Sequence, residues 1–515
     1  MGKSFWIWSL VGISLACSEK KVDLPQKEAT DTYREAYRPQ YHFSPQAHWM
    51  NDPNGLVYHD GEYHLFYQYY PEATVWGPMH WGHAKSKDLV HWEHRPIALF
   101  PDGKGLIFSG SAVVDVQNTS GFGTDGTPPM VAIFTYHNMA GEKAGRNDFQ
   151  TQGIAYSLDQ GETWTKYEGN PVLPNPGIRD LRDPKVFWHE ASGQWIMALV
   201  AGDHAKFYRS PDLKAWEYLS DFGKDAGAHG GVWECPDLFE LPVEGSDETK
   251  WVLIISIGNG GPNGGSATQY FVGDFDGTTF TADHQDWKWL DWGTDNYAGV
   301  TYNHTPDGKR TFIGWMSNWQ YALKTPTGTW RSAMTLPRHL GLRKTGDTYQ
   351  LTNYPVPAVG QLATEKETSD FEIAPNESRT WTMDELGRSR LQLATSGREF
   401  ELTYANDFGE QTRIRVNGAS NLIMVNRARS GETDFHYEFG NKLHYMDIEG
   451  LAAGRIEFSV FLDWSSIELF VAQGQWAFTD QLFPSVPYTQ LTITNKSGTA
   501  LSVADFGLAP LRSIW

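Results

Sequence analysis

Cysteine is almost absent from this chain: Cys17 and Cys235 are the only two in 515 residues. That excludes a disulfide framework and a thiolate-rich metal site. Positive charge is also scarce. With 42 Lys and Arg against 62 Asp and Glu, the formal net charge is −20, so nucleic acid and anionic membrane surfaces are repelled and a neutral substrate fits better. Long apolar runs are missing too. The one candidate, Phe5 to Ala16, follows Lys3 and is too short to span a bilayer. It ends in Ser14-Leu15-Ala16-Cys17 before the polar Ser18-Glu19-Lys20-Lys21, the layout of an export signal. Beyond it no long amphipathic helix is apparent.

Aromatics, by contrast, reach 14% with 22 Trp, which suits strands and sugar-stacking platforms. The length exceeds one ordinary core and implies two or three domains, a propeller being the main way one of them could be large. From Tyr41 the chain alternates in short runs, and Asp60-Gly61 between Gly55–Tyr58 and Glu62–Tyr69 predicts a hairpin. A loose repeat follows. Ser86-Lys87-Asp88 leads to Trp92, Ser157-Leu158-Asp159 to Trp164, Ser210-Pro211-Asp212 to Trp216, and Asp274-Phe275-Asp276-Gly277 to Phe280. Each reads as a strand, an Asp-stabilised turn and a blade-core aromatic, spaced as propeller blades with insertions. Further on, Ile456–Val471 reads as two strands joined by a polar turn, with Asp463 and Glu468 as surface or turn acids.

The stretch to explain is His48-Trp49-Met50-Asn51-Asp52-Pro53-Asn54-Gly55. Pro53 biases Asp52 away from the α region and Asn54-Gly55 tolerates positive φ, so the acid is held on a pinned backbone. Taken alone, such a run is usually just an Asx turn. Its companions change that reading: Phe66-Tyr67-Gln68, Trp76-Gly77 with His80-Trp81-Gly82-His83-Ala84, Phe108-Ser109-Gly110-Ser111, Arg182-Asp183-Pro184, Trp233-Glu234-Cys235-Pro236-Asp237 and Gly314-Trp315-Met316. In this order, from about Tyr41 to Asn353, they resemble the signatures of glycoside hydrolase family 32, the invertase, inulinase and levanase family.

The resemblance implies an all-β chain, a five-bladed β-propeller followed by a C-terminal β-sandwich. The expected boundaries are a lipoprotein-type signal over 1–17, a flexible tether over 18–38, the propeller over 39–354, a linker over 355–376 and the sandwich over 377–515. Cleavage before Cys17 and lipidation of its thiol would tether the enzyme at a bacterial cell surface or periplasmic membrane face; simple secretion is the alternative. The family assigns Asp52 as nucleophile, Glu234 as general acid then base, and Asp183 as transition-state stabiliser. Asn51, Gln68, Trp76, Phe108, Ser109, Arg182, Trp49, Trp315 and Tyr297 are implied for binding the fructose unit. Trp233, Cys235 and Pro236 are expected to surround Glu234 with apolar surface, Cys235 being a buried small residue and no nucleophile.

Net retention through a fructosyl-enzyme intermediate requires the two carboxyls roughly 5 to 5.5 Å apart, inversion a wider gap. No cofactor is implied, and no metal: His80 and His83 have no third ligand in view. Asp52, where endo-acting members carry Glu, resembles the exo-acting members, so the implied activity is release of terminal fructose from inulin, levan or sucrose. Two rivals remain, a non-catalytic glycan-binding lipoprotein and an inverting arabinanase-like hydrolase. The first need not keep Asp52, Asp183 and Glu234 together.

Overall fold

The computed structural model describes residues 33–124, 126–364 and 368–515. Cys17 and the segment expected to be an export signal lie outside them. Among the described residues no helix is long and apolar enough to cross a membrane.

Five antiparallel sheets follow one another along the chain and form the propeller. Their innermost strands are His48–His59, Leu106–Val114, Leu181–His189, Trp233–Pro242 and Tyr297–Thr301. The Asp60-Gly61 hairpin forms, both residues at positive φ, joining His48–His59 to Glu62–Tyr70. The repeated Ser-x-Asp turns cross from the third to the fourth strand of the first three blades. In the first of them Asp88 accepts from the N–H groups of Val90 (3.0 Å) and His91 (2.8 Å); in the third, Asp212 accepts from those of Lys214 and Ala215 (both 2.9 Å). Asp276 does the same before Phe280 in the fourth blade. Trp330–Arg331, late in the chain, pairs in parallel with His48–Trp49 and closes the ring against the first blade.

Two six-stranded sheets make the C-terminal sandwich. Glu399–Ala405 and Gln411–Asn417 alternate buried and half-buried residues, as strands with one face in a core must. The stretch expected as a linker holds more than a linker: Ser369–Ile373 is a strand of the sandwich, paired with Leu501–Pro510. The end of the expected tether is likewise packed. Tyr33 stacks on Trp515 at 3.9 Å, and Arg38, fully buried, bonds Glu35, Ser44 and the Pro45 carbonyl.

Asp463 and Glu468 require a larger correction. Ser466–Val471 is buried on both faces, because one face packs in the sandwich and the other covers the propeller. Both acids sit in that junction at 2% and 0% exposure. Asp463 accepts from the backbone of Gln40 and Tyr41 and pairs with His42 Nδ1 at 2.8 Å. Glu468 pairs with His42 Nε2 at 2.9 Å and with Arg338 at 2.6 Å. Arg338 also reaches Asp291 at 2.8 Å, so this ionic chain joins propeller to sandwich.

Candidate active site

Every inner strand of the propeller is interrupted at the same level. Register shifts fall between Met50 and Pro53, Ile107 and Gly110, Arg182 and Lys185, Glu234 and Asp237, and Tyr297 and Val300. A bulge turns a side chain off the regular alternation between faces, which here aims one or two residues per blade at the axis. Asp183, Cys235 and Ala298 take positive φ to do so, at +62°, +46° and +54°. Four of these bulges gather residues that are far apart in sequence around one cavity of about 250 Å³, while the fifth turns Tyr297, expected to bind the fructose unit but buried outside the lining, onto Glu234.

Asp52 is held from both sides. Ser109 Oγ donates to its Oδ2 at 2.7 Å and Asn51 Nδ2 to its Oδ1 at 2.9 Å, while Asn51 itself accepts from the Trp49 indole at 2.7 Å. Burial and the charge of Glu234 raise the Asp52 carboxyl above its ordinary value, against the pull of those two hydrogen bonds. Gln68 acts at one remove. Its amide bonds the Asn54 side chain at 2.7 Å and the Ile107 carbonyl at 3.1 Å, fixing the turn behind Asp52.

Glu234 is gripped by Arg182, whose Nη2 donates to Oε1 at 3.0 Å, and by the Tyr297 hydroxyl, which donates to Oε2. Burial, reinforced by the charge of Glu234, pushes the Tyr297 phenol well above its usual range, so it remains a donor. The expected apolar surroundings of Glu234 are therefore wrong. Trp233 turns into the fourth-blade core, its indole bonded to the Ala228 carbonyl at 2.9 Å, and Cys235 turns toward the other two acids.

Asp183 lies deepest of the three, 5% exposed, and accepts from the Cys235 N–H at 3.1 Å. Burial, opposed by Arg182 but assisted by the charges of Glu234 and Asp52, raises its carboxyl from 3.8 to about 7. The Cys235 sulfur sits 3.6 Å from Asp52 and 3.8 Å from Asp183. Burial and then these carboxylates push its thiol far up, so it bridges them as a weak donor.

The walls differ in part from expectation. Trp76 meets Phe108 edge to face at 6.1 Å, and both line the cavity. Trp49 and Trp315 do not; both are fully buried behind Trp319, which stacks on Trp49 at 6.0 Å and itself faces the cavity. Trp319 was not predicted, although it stands three residues past the Gly314-Trp315-Met316 motif. His137, Glu142, Gln150 and Asp180 were also missed. His137 stacks on Phe108 at 4.2 Å, receives the Gln150 amide at Nδ1 and pairs with Glu142 at 3.1 Å. Glu142 rides on a short helix, Met139–Lys143, capped by Asn138. Asp180 accepts from Arg182 Nη1 at 2.7 Å. An Asn with an acid four residues on is the only trace of that helix in the sequence.

Comparison with known proteins decides the family. The N-terminal domain model of glycosyl hydrolases family 32 matches residues 42–355, and the C-terminal model of the same family matches 342–508. This chain belongs to glycosyl hydrolase family 32. Relatives within it include a levanase of Bacillus subtilis, 45% identical over 94% of this chain and 72% of its own length. An extracellular exo-inulinase of Aspergillus ficuum is 41% identical over 92% of this chain and 94% of its own. Among solved structures, the exo-inulinase of Aspergillus awamori superposes with a TM-score of 0.86 at 38% identity, covering 94% of this chain and all of the other. The family 32 propeller and sandwich thus account for the architecture described above.

Proposed function

We propose that this chain is a retaining, exo-acting β-fructosidase that removes terminal fructose from fructans and sucrose-type substrates. The observation that carries this reading is the pairing of two differently held acids over one small cavity: Asp52 fixed by Ser109 and Asn51, Glu234 fixed by Arg182 and Tyr297. Glu234 gives its proton to the glycosidic oxygen as that bond breaks, while an Asp52 oxygen bonds the anomeric carbon. Glu234 then takes a proton from water, whose oxygen displaces Asp52 and releases fructose with its original configuration. Asp183 accepts hydrogen bonds from the fructose hydroxyls as positive charge builds on the ring. At about 250 Å³ the cavity falls below the roughly 300 to 1,000 Å³ of ordinary ligand clefts, a size that suits one terminal sugar and not a threaded chain. The names of the levanase and exo-inulinase relatives support the fructan class.

Free fructose is expected as the first product from inulin and levan, in the β configuration by early NMR sampling, and Asp52→Ala and Glu234→Ala should each abolish it. An early ladder of oligosaccharides would reject exo action, and an α product would reject retention. We place the enzyme outside the cytoplasm, tethered through a lipid on Cys17. Labelled palmitate should enter the wild-type protein and not Cys17→Ser.

A further inference from the structure

The segment from Asp291 to Tyr297 leaves the fourth blade, touches the sandwich, and ends on the hydroxyl that holds Glu234. Its anchoring is unusually complete. Asp295 is fully buried and accepts from Arg427 Nη1 at 2.6 Å, from the Gln481 N–H at 2.8 Å and from the Tyr321 hydroxyl at 2.7 Å. Its own N–H donates to the Thr479 carbonyl at 3.0 Å. Thr294 beside it donates its N–H to Asp480 at 3.1 Å and receives Arg427 Nη2 at 3.1 Å. Arg427, Gln481, Thr479 and Asp480 all belong to the sandwich.

Arg427 itself is fully buried, with its guanidinium 3.8 Å over the Phe439 ring and its Nε on the Phe439 carbonyl. Asp480 lies 3.7 Å from it and is itself hydrogen-bonded to His444 at 2.7 Å. Burying such a cluster is costly, and an apolar contact of the same volume often stabilises as well or better. What ions and directional bonds add is a single geometry. Here that geometry lies two residues from Tyr297.

We propose that Arg427 is a positioning residue for the reaction: through Asp295 it sets the pose of Tyr297, and Tyr297 holds Glu234 where it can pass its proton to the leaving group. The sandwich is thereby a working part of the active site, and a propeller without it would hold Glu234 loosely. This rests on the assignment of Glu234 as the acid and base.

A double-mutant cycle on sucrose tests it. Arg427→Gln should lower kcat about tenfold with KM within about twofold, and Arg427→Lys should recover part of the loss. Tyr297→Phe should lower kcat to a similar degree. Combined with it, Arg427→Gln should cost less than about twofold more, because both act along one path. Tyr321→Phe removes one buried hydroxyl from the same cluster, so it gives a smaller loss that also vanishes beside Tyr297→Phe. It decides the matter if Arg427→Gln does not fold. Losses that multiply independently, or an Arg427→Gln enzyme with a lower Tm and unchanged kcat, would overturn the proposal. A wild-type enzyme that releases no fructose would instead sink the assignment beneath it.

Discussion

Asp183 carries a stability cost that a single substitution should remove. Its carboxyl titrates at about 7 where an unperturbed Asp titrates near 3.8. A raised carboxylate pKa means that the folded state holds a proton the unfolded chain has already lost. The penalty is therefore absent below the unfolded value, grows as pH rises from about 4 to 7, and is complete above that. At about 1.4 kcal/mol per tenfold in the ionisation constant, it amounts to roughly 4 kcal/mol at its full extent. Asp183→Asn keeps the shape, still accepts from the Cys235 N–H, and suits the +62° φ as well as Asp does.

Urea unfolding should show the variant about 2 to 4 kcal/mol more stable than wild type at pH 8 and nearly equal at pH 4, while fructose release falls by several orders of magnitude. A gain independent of pH, or a loss of stability at pH 8, would refute the reasoning that burial and the neighbouring acids strain this carboxylate.

Trp319→Ala should raise KM about tenfold with a smaller change in kcat, read from initial rates on sucrose, because it removes an apolar wall and no reacting group. Ser109→Ala should lower kcat about 10- to 100-fold, since it strips a hydrogen bond from Asp52. Cys235 should stay unmodified by iodoacetamide in the native enzyme at pH 8 and react once unfolded, as peptide mass spectrometry would show. At the domain junction, burial pulls His42 down, but Asp463 and Glu468 more than offset it and hold the imidazole at about 9. That stabilisation is full below 6.5 and lost as pH rises through about 9, so His42→Gln should lower the urea midpoint at pH 6 and much less near pH 10.

Much of the site was legible because its chemistry sits in contiguous motifs. Asp52, Asp183 and Glu234 stand in three of them, and Ser109, Arg182 and Tyr297 occupy the same cavity or touch these acids. The Ser-x-Asp turns and Asp60-Gly61 could be read because each is a local device with its own side-chain logic. What was misread depends on packing between distant segments. Trp49 and Trp315 look like sugar platforms until Trp319 is seen to cover them. Asp463 and Glu468 look exposed on the assumption that a sandwich strand has one wet face, which fails where the propeller covers it. Ser369–Ile373 is short and charged, and its brief alternation, Asp370-Phe371-Glu372-Ile373, becomes a strand only through pairing with Leu501–Pro510 and packing of Phe371 and Ile373 on the sandwich core.

The five bulges set how this enzyme can change over evolution. Each inward turn depends on one surplus residue, so deleting a single codon at Cys235 or Asp183 would let the strand zip into regular pairing and swing the neighbouring side chains off the axis. Lengthening the loops at the rim leaves those pivots untouched. Descendants of this scaffold are thus free to vary what they admit, while the backbone at the bottom keeps its shape through a side-chain substitution and loses it with any shift in count.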